Sequence, residues 1–216
     1  KTWKTLEEGT KVTLKAIGDK VYFKGNNPDG FSKGYVERST FNMTGLIKAS
    51  GSVMSLVDGL GTSKVIPNDF CFSLLFCRCE VLTQAPELPA TTLTNACYEF
   101  MFQDCVNLTE APKLPATKVY DKSYVGMFMG CRNLKIAPEL PATEMKYRCY
   151  DSMFRSCTSL ETPPALPAKV LDRECYHQMF QECTKLKEAP ELPATKMATD
   201  CYSMMFTSCE NLTVAP

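Results

Sequence analysis

One feature dominates this 216-residue sequence: from Cys71 onward a unit of 26 residues is copied without insertion or deletion. One column reads Phe76, Phe102, Phe128, Phe154, Phe180 and Phe206. A cysteine column runs Cys79, Cys105, Cys131, Cys157, Cys183 and Cys209, and a leucine column runs Leu82, Leu108, Leu134, Leu160, Leu186 and Leu212. Units start at 71, 97, 123, 149, 175 and 201, and Ser123 stands where the other five open on cysteine. Two proline columns follow, from Pro86 to Pro216 and from Pro89 to Pro193. A unit this short cannot bury its apolar face alone, so copies must stack and turn each column into a ladder through the core.

Within a unit, Cys97, Tyr98, Met101, Phe102 and Cys105 are spaced i, i+1, i+4, i+5, i+8. That spacing predicts one face of a helix over 97–105, with Glu99, Gln103 and Asp104 on its outer face. Proline cannot donate to a ladder, so Pro112 and Pro115 restrict any strand to a short piece around Thr109 to Ala111. A further apolar column, Leu93, Val119, Met145, Leu171 and Met197, marks the return. The fold class expected is an α/β repeat solenoid built from a short helix and a short strand per unit. Helices about 10 Å across crowd their side more than strands about 4.8 Å apart, which places the strands on the inner side of a curve.

Residues 1–70 follow another rule. Nine of the 11 glycines lie before Thr62, while all 12 cysteines lie after Phe70. Alternation over residues 11–16 and 20–24, around an Ile17-Gly18-Asp19 turn, predicts a hairpin. Residues 41–47 and 53–57 are weaker strand candidates. A small β-rich cap over the first repeat is expected, because terminal repeats expose apolar surface, with an independent module as the alternative. The chain opens on Lys1 without a signal peptide, which suggests a processed or trimmed product.

Composition removes several functions. Lys plus Arg and Asp plus Glu are 24 each, so the net charge of zero argues against nucleic acid as a partner. No stretch approaches the roughly 20 apolar residues of a membrane span. The cysteine columns share a face with Met and Phe and are expected as buried thiols. Stacked rungs bring equivalent Cα atoms to about 5 Å, so disulfides stay open on distance alone. Zinc would need clustered ligands, and Cys77 and Cys79 are the one close pair. His177 sits in a variable column, with surface solvation expected and no nucleophile beside it. Glu110, Glu139, Glu161 and Glu188 are also in variable columns, where chance placement explains them better than paired-acid catalysis. The run Gly59-Leu60-Gly61-Thr62-Ser63-Lys64 echoes a phosphate loop, lacks its full spacing, and is expected as a turn. No catalytic activity, cofactor or metal is expected.

The string M-F-x-x-C-x-x-L-x-x-A-P-x-L-P-A-T resembles the BspA-like leucine-rich repeats of surface proteins from Bacteroides-type bacteria. Met101, Phe102, Cys105 and Leu108 occupy that family's core positions, and residues 18–27 resemble the leader that precedes such repeats. The unit here is longer than the family's commoner repeat. The resemblance implies a leucine-rich-repeat solenoid over 71–216, exported to the cell surface or outer membrane, with a lipid anchor upstream. It further implies binding or adhesion to an extracellular protein or glycan of host or bacterial origin. The contact surface expected is the variable strand side: Thr109, Glu110, Lys113, Lys135, Ile136, Glu139, Glu161, Thr162, Lys187, Glu188 and Glu191. The alternative is a structural spacer holding another module away from the membrane.

Overall fold

Where helices are expected, the computed structural model, which describes residues 3–7 and 9–216, has chains of overlapping β-turns. In the unit starting at Cys149, the N–H groups of Asp151, Met153, Arg155 and Cys157 donate to the carbonyls of Arg148, Tyr150, Ser152 and Phe154, at 3.0–3.2 Å. The N–H groups between them point elsewhere. Those of Tyr150, Ser152, Phe154 and Ser156 donate to Cys175, His177, Met179 and Gln181 in the next unit, at 2.8–3.0 Å. An α-helix would spend every N–H on its own residue i−4. Here half of them stitch one rung to the next, always from the earlier rung's N–H to the later rung's carbonyl.

This corrects the helix expected over 97–105 and its counterparts, and the reason is numerical. Two apolar residues in every four have a period of four, and successive overlapping turns start two residues apart, so every second turn also repeats at four. Over nine positions that cannot be told from 3.6. Every second turn carries a left-handed residue at its third position, as a type II turn requires: Arg148 at φ 53°, Ser152 at 55°, Ser156 at 60°. Of these repeating positions only Gly126 and Gly130 are glycine; the others include Phe100, Gln178 and Glu182. Each non-glycine residue there opposes folding by about 1 kcal/mol. Arg78, exposed at φ 60°, is a clean test. Arg78→Gly is expected to raise the unfolding free energy by about 0.5–1 kcal/mol, less than the strain removed because glycine loosens the unfolded chain. Urea denaturation measures it.

The second half of each unit is also sparer than expected. One repeat strand forms, β2 (Leu82–Gln84), paired in parallel with β1 (Ile47–Lys48) of the leader. The strand expected around Thr109 shrinks to single parallel bridges, Glu110 to Ile136 and Ile136 to Thr162. A second line of bridges joins Lys118, Glu144, Val170 and Lys196.

The ladders form the core. Phe rings stack from Phe76 to Phe206 with centroids 5.6–5.8 Å apart and planes within 8°. A second stack runs from Phe72 through Tyr98, Tyr124, Tyr150 and Tyr176 to Tyr202. All 12 cysteines are free thiols. The second cysteine column also ties rungs together, since Cys105, Cys131, Cys157 and Cys183 each donate to the carbonyl of the Phe 29 residues earlier, at 3.1 Å. A small apolar side chain with a weak donor fits that position. Burial pushes the Cys71 thiol up to about 11 and Cys97 to about 12, which suppresses thiolate reactivity. Ser123, alone in its column, donates instead to the Tyr120 carbonyl at 2.8 Å.

The leader joins this stack. Phe41 packs on Phe76 at 5.5 Å, and its N–H donates to Leu75. Val53 donates to Glu87, 34 residues on, whereas Ile66 donates to Thr92, 26 residues on. The eight residues of difference bulge out between them and hold α1 (Ser55–Asp58), closed by Gly59 at φ 72°. A helix thus replaces the strand expected at 53–57. Residues 23–27 lie against it: Gly25 and Asn27 donate to Ser55 and Val57. The turn at 16–19 is present, with the Asp19 carboxylate accepting from the N–H groups of Lys15 and Ala16. No sheet joins its two arms among the described residues, so a β-rich cap is not what covers the first rung. Phe41 of the leader does so, with Phe23 packed on it at 5.0 Å. Among the described residues no helix is long and apolar enough to cross a membrane.

Candidate functional site

Invariant columns fill the core, so any specificity must come from the variable ones, which fall on two faces. On the bridge face all 11 residues expected as contacts are exposed. The parallel bridges bring Glu110, Ile136 and Thr162 into one line, and Glu188 pairs onward to Val214. Two hollows of about 480 Å³ open between rungs. Thr109, Glu110, Lys135 and Ile136 line the first, with Pro138 at its edge. Glu161 and Lys187 line the second, joined by Lys185, Asn211 and Thr213. Sequence reasoning misses Lys185, Asn211 and Thr213, although their columns are legible there. Lys113, Glu139, Thr162, Glu188 and Glu191 line neither hollow. No ion pair forms among the 11 within the described residues, so these charges face solvent unpaired. Ile136, 69% exposed, adds an apolar contact among them.

The turn face differs from expectation. Glu99, expected outside, is buried and pairs with Arg38 of the leader at 3.2 Å. Burial pushes its carboxyl above the usual range, and Arg38 offsets part of that. Two rungs on in the same column, Asp151 is fully buried. It accepts from Arg148 Nε at 2.6 Å and from the Ser152 hydroxyl at 2.8 Å. His177 is not a freely solvated side chain: its Nδ1 lies 3.1 Å from Asp151 Oδ1. Arg148 also reaches Glu174 at 3.4 Å, and Arg173 pairs with Glu174 while lying over the Tyr147 ring. Alignment of units brings Glu99, Asp151 and His177 into one column; their burial is not legible there, because a helix would turn that column outward.

The phosphate-loop echo has a structural explanation. Gly59 to Ser63 forms a nest of backbone donors, and Asp58 fills it. Its carboxylate accepts from the N–H groups of Leu60 at 2.8 Å, Thr62 at 2.9 Å and Ser63 at 2.7 Å, and from Gly61. Burial works upward on this carboxyl, and the four donors outweigh it and hold it at about 2. A group depressed when folded stabilises at neutral pH and loses that contribution as pH falls through about 4 toward 2. Asp58→Asn is expected to cost about 1–2 kcal/mol at pH 7 and progressively less as pH falls toward 2. Urea titrations at both pH values would show it.

Among the described residues no group of three or more His, Cys, Asp or Glu side chains is placed to hold a metal ion. Compared with known proteins, the chain matches no family model, no curated protein and no solved structure.

Proposed function

We propose that the chain is a repeat solenoid of the BspA-like leucine-rich-repeat kind, and that it works at the cell surface by binding an extracellular protein or glycan. The observation that carries this reading is the bridge face. Variable, unpaired charged residues there line two open hollows on a backbone with the stacked ladders behind it. Stacked repeats commonly bind through an extended surface of this sort. The mixture of ammonium, carboxylate, hydroxyl and one isoleucine suits a polar ligand with a small apolar element, and it spans both hollows.

The test is a panel of matrix proteins and glycans against the purified chain, followed by Ile136→Ala and Lys187→Ala. Each substitution is expected to weaken binding about tenfold if it sits at the centre of the contact. Neither should alter stability by more than about 0.5 kcal/mol, because both side chains are exposed. If nothing binds at tens of micromolar while a longer form of the protein does bind, the spacer reading takes its place.

A further inference from the structure

The turn face holds a chemistry separate from the binding just proposed. Side chains one rung apart in a column meet along this face: Ser156 to Glu182 at 2.7 Å, Ser152 to Gln178 at 3.4 Å, Gln178 to Met204 at 3.4 Å. In the column beside them, three consecutive rungs carry Asp151, His177 and Ser203.

Each has a distinct environment. Asp151 is buried, with Arg148 as its counter-ion, so it accepts hydrogen bonds. With a carboxylate as its partner, His177 Nδ1, 3.1 Å from Asp151 Oδ1, is the donor of that contact, and Nε2 is left for a further partner. The His177 side chain is 22% exposed. Ser203 stands on the next rung, where its carbonyl accepts from the Gln178 N–H at 2.9 Å and its own N–H donates to Asp200. Its hydroxyl is half-buried and has no partner among the described residues. A carboxylate, an imidazole and a serine on successive rungs of one column stand in the order of groups that activates a serine hydroxyl.

We propose that Asp151, His177 and Ser203 act as a relay that makes Ser203 a nucleophile toward small carboxylic esters. Ser203 Oγ bonds to the ester carbonyl carbon and its proton passes to His177 Nε2. The C–O bond to the alcohol breaks, and the departing alkoxide takes that proton. Water then attacks the acyl-serine by the same route, which releases the carboxylic acid and restores Ser203. Asp151 is a positioning residue, since it acts through His177. In the unliganded chain His177 and Ser203 are not yet hydrogen-bonded. Such contacts commonly tighten only around a substrate.

The test uses a fluorophosphonate probe, with the labelled residue mapped by mass spectrometry. The Ser203 Oγ–P bond forms as P–F breaks, fluoride leaves, and the proton goes to His177. Ser203 is expected to label roughly tenfold or more faster than the other exposed serines, and His177→Gln to slow it by a similar factor. His177→Gln keeps a polar side chain at a partly exposed position, so the fold is retained, which circular dichroism checks. With p-nitrophenyl acetate, an initial burst of p-nitrophenolate should appear in the unaltered chain and vanish in Ser203→Ala. Labelling of Ser203 at the rate of the other serines, or equal labelling in His177→Gln, would overturn the proposal.

Discussion

Phe154→Ala is expected to lower the unfolding free energy by about 3–5 kcal/mol. Phe154 is fully buried near the middle of the stack, with Phe128 at 5.8 Å on one side and Phe180 at 5.7 Å on the other. Truncation removes its transfer energy and two ring contacts worth about 0.5–1.5 kcal/mol each beyond area. It also leaves a cavity that cannot collapse, because the rungs on both sides are fixed by backbone bonds from Phe154 to Met179 and from Phe128 to Met153. Position within the array supplies the control. Phe206 is half-buried and stacks on one ring only, 5.8 Å away. Phe206→Ala should cost no more than about half as much. Guanidinium denaturation of both variants decides: equal losses would mean that the columns do not couple rung to rung.

That stacking is the most legible property of the sequence. Uninterrupted columns of Phe, Cys and Leu require neighbouring units to place like on like, whatever the local backbone does. The local backbone is harder to read. Turns usually announce themselves through Gly or Asn at left-handed positions, yet Arg148, Ser152, Gln178 and Glu182 occupy them here. With that signal missing, a two-in-four apolar pattern resembles a helix. Gly126 marks the turn instead through its neighbour: a Cβ there would meet the Phe100 ring at 2.3 Å. The leader misleads for a related reason. Its pairing offset changes along the rung it forms, so Phe41, Ile47 and Ile66 cannot be aligned to the repeat by any single spacing. On the variable faces, column variability anticipates the exposure of the expected contact residues. It does not anticipate the burial of Glu99 and Asp151, which depends on which way each turn faces.

The same column predicts where a charge is expendable. Arg148→Met is expected to cost about 3–5 kcal/mol, because it strands the fully buried Asp151 carboxylate without its cation. His177 and Ser152 would remain as hydrogen-bond partners, but neither replaces a guanidinium permanently charged beside it. Removing the acid instead should cost less: in Asp151→Val, Arg148 keeps Glu174 at 3.4 Å and remains partly solvated. Valine is already the residue at this position one rung earlier, where Val125 is buried. The double variant Arg148→Met with Asp151→Val should therefore recover most of the loss and lie within about 1–2 kcal/mol of the unaltered chain, since replacing both partners of an ion pair whose acid is buried leaves no charge stranded. Unfolding free energies of the three variants form a double-mutant cycle whose coupling term tests this. If the double variant is as unstable as Arg148→Met alone, the loss comes from the packing of the arginine stem and not from a stranded charge.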